Sequence, residues 1–106
     1  KLLTINAGHR LSRKYHKRKS HTIRILEGIL LLEIGPRAEG ATIEMRWLKP
    51  GMAHHLPSNT IHRFCAGQET VKILELSLAG PEDSVRLADD YKRITDIPEP
   101  LQQSDK

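Results

Sequence analysis

The chain has 106 residues, 38% hydrophobic and 28% charged, with one Trp, one Phe and two Tyr; this is enough for one hydrophobic core, too little for two, and too apolar for a disordered chain. Its formal charge of +4 is unevenly spread, because no acid precedes Glu27 while Glu82, Asp83, Asp89, Asp90, Asp96, Glu99 and Asp105 crowd the other end. The single cysteine, Cys65, excludes an intrachain disulfide and points to a reducing, cytoplasmic setting, and no apolar run approaches the roughly 20 residues of a membrane-spanning helix.

Short apolar or alternating runs separated by turn residues predict strands over 2–6, 10–17, 22–27, 29–34, 41–48, 53–56, 61–66 and 71–78. The breaks between them carry turn chemistry: Ala7-Gly8, the GPRAEG loop from Gly35, Pro50-Gly51, Pro57-Ser58-Asn59 and Gly67-Gln68. In the fifth segment Ile43, Met45 and Trp47 share one face and Glu44 and Arg46 the other, so the apolar set is expected in the core. The eighth is apolar on both faces, with Val71, Ile73 and Glu75 opposing Leu74 and Leu76. Beyond Pro81 the order of acids before Lys92 and Arg93 predicts a short helical segment, and the Pro-rich end an extended tail. This describes an all-β domain over residues 1–94, a sandwich or barrel with the jelly roll among its forms, and a tail over 95–106.

Two stretches carry chemistry. In the first, Lys14, His16, His21 and Gly28 stand in a basic run that includes Lys17, Arg18 and Lys19; in the second, Gly51 is followed by Pro57, Asn59 and His62. Neutral imidazoles are ligands for divalent transition metals, and three of them leave coordination positions open, as a catalytic ion requires. Lys14 cannot ligate while protonated; beside a cation it becomes a candidate base or a hold for a substrate anion. Glu75, a carboxylate among apolar neighbours, is a candidate general base. Of His54 and His55, alternation turns one to each face, so one of them is a candidate substrate contact. The basic run lacks interleaved aromatics beyond Tyr15, and no recognition helix follows it, which argues against nucleic acid as partner.

The spacing of both stretches resembles the two motifs of the cupins. His16, His21 and Gly28 match the second His, the Glu and the Gly of the first motif, with His in place of Glu and with Lys14 at the first ligand position. Gly51, Pro57, Asn59 and His62 match the second motif, with Asn59 standing where a Gly is usual. The first stretch, together with ILELS and DSVRLADDYKRI, is similar to the small single-domain cupins grouped with mannose-6-phosphate isomerase. This resemblance implies a jelly-roll barrel of the double-stranded β-helix type and a metal held by His16, His21 and His62. It also implies a Zn, Fe, Ni, Mn or Cu cofactor, a small and phosphorylated substrate, no membrane partner and a homodimer. The activity it implies is sugar-phosphate isomerisation with Lys14 or Glu75 moving the proton; the three-His donor set also resembles cupin dioxygenases, and a sugar- or effector-binding cupin without turnover is the third alternative.

Overall fold

The computed structural model describes residues 1–77 and 83–88. Among them lie nine strands: β1 (Leu2–Ile5), β2 (Arg13–His16), β3 (His21–Glu27), β4 (Leu30–Pro36), β5 (Glu44–Leu48), β6 (Ala53–Leu56), β7 (Thr60–Ala66), β8 (Val71–Ser77) and β9 (Ser84–Ala88). They form two antiparallel sheets, ordered β1-β8-β3-β6 and β5-β4-β7-β2-β9. Two such sheets packed face to face are the jelly-roll architecture expected from the sequence.

Period-two alternation decides which residues fill the space between the sheets. On β3, His21, Ile23 and Ile25 are buried while Arg24 and Leu26 are exposed; on β7, His62, Phe64 and Ala66 share the inner face. Ile5, Ile23, Ile25, Leu30, Leu32, Leu48, Leu56, Phe64, Val71 and Ile73 make one continuous core. Each fully buried side chain of this kind contributes about 1.5–3 kcal/mol.

The inner rows change character along their length, and that change makes the site. Register pairs Ile25 with Ile73, Ile23 with Glu75 and His21 with Ser77. On β7 the inner row runs from Ala66 through Phe64 to His62, with Lys14 opposite His62. One end of the interior is therefore apolar and closed, and the other is polar.

Two expectations are corrected. Ser84–Ala88, expected within a helix, is strand β9, whose Ser84, Val85 and Arg86 pair with His16, Tyr15 and Lys14. Pairing gives the backbone groups on the edge of β2 the partners that a helix would withhold. The polar-apolar alternation Ser84, Val85, Arg86, Leu87 carries that signal, although the acids around it resemble a helix start. The rest of the expected helix, and the tail over 95–106, lie outside the described residues. The second correction concerns Met45 and Trp47, which are 65% and 62% exposed rather than in the core. Register with β4 pairs Leu48 with Leu30 and Arg46 with Leu32, so the inner face of β5 is the one bearing Glu44, Arg46 and the buried Leu48.

The turns that hold the polar end fit their residue types. Asn59 adopts φ 59°, the left-handed conformation that Asn tolerates. Its N–H donates to the His16 carbonyl at 2.7 Å, tying the turn before β7 to the end of β2.

Candidate metal and substrate site

Three strands bring three histidines together. His16 ends β2, His21 begins β3 and His62 lies near the start of β7; all three are buried. The His16 and His21 ring centroids are 4.0 Å apart, and those of His16 and His62 are 5.7 Å apart with nearly parallel planes.

Each imidazole has an oxygen against its Nδ1. That of His16 lies 3.3 Å from Asp83 Oδ1, that of His21 lies 3.0 Å from Glu75 Oε2, and that of His62 lies 3.2 Å from the Thr60 carbonyl. The carbonyl can only accept, so His62 carries its proton on Nδ1 and its lone pair on Nε2, a buried atom without a hydrogen-bond partner among the described residues. Burial, partly offset by the Thr60 hydrogen bond and reinforced by Lys14, His16 and His21, lowers the His62 pKa to about 4. The ring is neutral at physiological pH, the form in which imidazole ligates a metal.

A cavity of about 310 Å³ opens beside the cluster, lined by Lys1, Lys14, His16, His21, Glu75 and Arg86 among others. Lys14 thus faces inward with His16 and His62 rather than outward with Lys17. Glu75 is also on the inner face, its side chain 12% exposed. Its backbone N–H donates to the Lys1 carbonyl at 2.7 Å, extending the pairing of β1 with β8. Three cationic side chains and one carboxylate give the cavity a positive balance that favours an anionic occupant.

His54 and His55 lie elsewhere. His54 sits on the inner parity of β6, opposite Ile23 and half-buried, with its pKa lowered by burial, then by Arg46 and His55. His55 is exposed on the outer face, with Nδ1 3.0 Å from Thr22 Oγ1. Neither lines the histidine cavity. Sequence reasoning missed Asp83, which holds His16 across 67 residues of chain, and Arg86 and Ser84, which reach the cavity only because β9 is a strand.

The donor chemistry suits a divalent transition ion: three imidazoles stand together, the Nδ1 of His16 and of His62 is hydrogen-bonded to an oxygen, and His62 Nε2 has no partner among the described residues, as where outer groups orient metal-bound histidines. Their present positions are looser than a finished site. Among the described residues no three His, Cys, Asp or Glu side chains are placed so that they could hold a metal ion together.

No family model matches the chain, and no curated protein does. Solved structures do. A 4-keto-6-deoxy sugar epimerase, NovW of Streptomyces spheroides, superposes with TM-score 0.69 at 15% identity over 82% of this chain and 49% of its own. Oxalate oxidase in complex with the substrate analogue glycolate gives 0.70 at 17% identity, over 79% and 43%. The CENP-C cupin domain of Drosophila melanogaster gives 0.66 at 13%, over 73% and 58%. The chain thus spans about half the length of the solved structures it matches. Likeness at such identities speaks for the fold and leaves the reaction open. With the two-sheet topology and the polar barrel end, it establishes that this chain folds as a cupin.

Proposed function

We propose that this chain is a metal-dependent cupin enzyme that isomerises a small phosphorylated sugar, the activity of the mannose-6-phosphate isomerase-like cupins that its first motif, together with ILELS and DSVRLADDYKRI, resembles. The observation that carries the reading is the buried His62 Nε2, which has no hydrogen-bond partner among the described residues while its Nδ1 is fixed on Thr60. Leaving such an atom unsatisfied costs about 1–3 kcal/mol, a penalty that a bound ion would relieve.

A divalent ion held by His16, His21 and His62 would supply Lewis-acid polarisation of a substrate carbonyl. The remaining chemistry falls to the chain. Lys1, Lys14 and Arg86 would bind the phosphate at the cavity wall. Glu75, in the same wall, would take the proton from the hydroxyl-bearing carbon and return it to the neighbouring one, while the hydroxyl proton passes to the former carbonyl oxygen, so that aldose and ketose exchange. The sugar epimerase among the similar structures supports a sugar substrate, and the free, buried Cys65 is compatible with the reducing cytoplasm.

Elemental analysis after equilibration with Zn, Fe, Ni, Mn or Cu tests the metal, with one ion per chain expected and none in His62→Ala. Absence of stoichiometric metal overturns the site. Turnover of mannose 6-phosphate, lost in Glu75→Gln, tests the reaction. A sugar- or effector-binding cupin without turnover is the second reading, favoured by the lack of a closed ligand set among the described residues. Saturable binding of a sugar phosphate with no product would establish it.

A further inference from the structure

We infer that Ser12 binds one buried water molecule in a small chamber beside the histidine cavity, and that this water holds the Glu75 carboxylate in place. The chamber has a volume of about 20 Å³, with Ser12, Lys14, His62 and Glu75 among its polar walls and Leu11 and Phe64 among its apolar ones. Lys14 and Glu75 also line the larger cavity of about 310 Å³. These two side chains therefore stand between the two spaces.

Ser12 has the parity of Lys14 and His16, so it turns inward with them. The Leu11 N–H donates to the Phe64 carbonyl at 3.0 Å, which fixes the segment before β2 against β7. Ser12 is 3% exposed, and its Oγ has no hydrogen-bond partner among the described residues. A buried hydroxyl in that state is destabilising, and native proteins satisfy such groups with water where space allows. The chamber is large enough for one water and too small for a sugar. An ion on His62 Nε2 would leave the Ser12 hydroxyl unanswered, because transition ions take thiolate, imidazole or carboxylate ligands in preference to an alcohol.

The donor and acceptor inventory completes the shell of this water. An ammonium only donates, a carboxylate only accepts and a hydroxyl does either. A water that accepts from Lys14, donates to Glu75 and shares one bond with Ser12 has about three partners, the usual number for a buried water. Lys14 stands opposite His62 in the register of β2 with β7, and its charge depresses the His62 pKa, so its ammonium faces this interior. Glu75 Oε2 lies 3.0 Å from His21 Nδ1, which leaves Oε1 to accept from the water.

The water rests on the chamber alone, whereas its effect on turnover rests on the reading of Glu75 as the base. Magnetic relaxation dispersion of water should count one long-lived molecule fewer in Ser12→Ala than in the intact chain, with Zn present as well as without it. A crystal structure of the intact chain should place that molecule within hydrogen-bond distance of Ser12 Oγ. With mannose 6-phosphate, Ser12→Ala should lower kcat by about 10- to 100-fold at unchanged KM, because the base loses its alignment while the cationic side chains that would bind phosphate keep their charge. A dry chamber in the intact chain, an equal water count in folded Ser12→Ala, or loss of the water on loading Zn would each overturn the assignment. An unchanged kcat in Ser12→Ala would overturn the positioning role. An intact chain that holds the water and turns nothing over would overturn the isomerase reading instead.

Discussion

Asp83 touches two parts of the site at once. Its Oδ1 lies 3.3 Å from His16 Nδ1, while its Oδ2 accepts from the backbone N–H of Arg18 at 2.6 Å and of Lys19 at 3.2 Å. One carboxylate thus orients an imidazole and closes the basic turn that follows it. Desolvation works against the charge, but the two backbone donors and His16 outweigh it and hold Asp83 below the ordinary carboxylate pKa. Replacing Asp83 with Asn should keep the fold and weaken metal binding by about 10- to 100-fold, the usual effect of losing an outer-shell carboxylate. Titration calorimetry with Zn would check it, and unaltered affinity would mean that Asp83 serves the turn alone.

His62 gives the metal-free protein a pH dependence of definite sign. Its folded pKa of about 4 lies below the ordinary imidazole value of 6.5, chiefly through burial. Between those values the unfolded chain binds the proton and the folded chain does not, so stability falls as pH drops from about 6.5 toward 4. At about 1.4 kcal/mol per pH unit the loss from this residue is on the order of 3 kcal/mol. Urea unfolding from pH 7 to pH 4.5 should show it, and His62→Gln should flatten the slope by one proton. An unchanged slope in that variant would place the proton uptake on another group.

The eight strands read from alternation and turn residues all reappear within a few residues, because burial on one sheet face writes period two into a strand such as β3 and turn residues mark the breaks between the others. The fold and the three clustered histidines were therefore legible. Orientation was harder. The segment at 41–48 has two faces, and nothing local says that Leu48 rather than Trp47 turns inward; its pairing with Leu30 decides. Lys14 is similar: local charge groups it with Lys17 and Arg18, while its register opposite His62 puts it at the cavity wall. Asp83 was invisible for a different reason. A side-chain contact spanning 67 residues leaves no periodic mark in the sequence.

Cys65 should be a poor nucleophile. Burial first, and the Glu33 carboxylate 3.8 Å from its sulfur second, push the thiol up to about 11 from 9.0. Two units lower the thiolate fraction about 100-fold at any pH below both values. Alkylation by iodoacetamide at pH 8 should be slowed at least that much in the folded protein and should recover in urea. Rapid alkylation of the native chain would show that the sulfur reaches solvent.

Gly28 closes the first motif for a steric reason. It adopts φ +77°, where a side chain is strained, and a Cβ built there runs into the carbonyl oxygen of Thr70. That oxygen belongs to backbone at the start of β8, next to the fully buried Val71, so it cannot swing aside as a flexible side chain would. Left-handed strain alone costs about 1–2 kcal/mol in a residue with a Cβ. The clash must add to it, since relief requires moving β8 away from the turn between β3 and β4. Gly28→Ala should therefore lose more than about 2 kcal/mol in chemical denaturation. Gly51 is the control, because it has a similar φ of +91° with nothing near its Cβ position. Gly51→Ala should lose only the strain component, and equal losses at the two sites would show that contact with Thr70 contributes nothing.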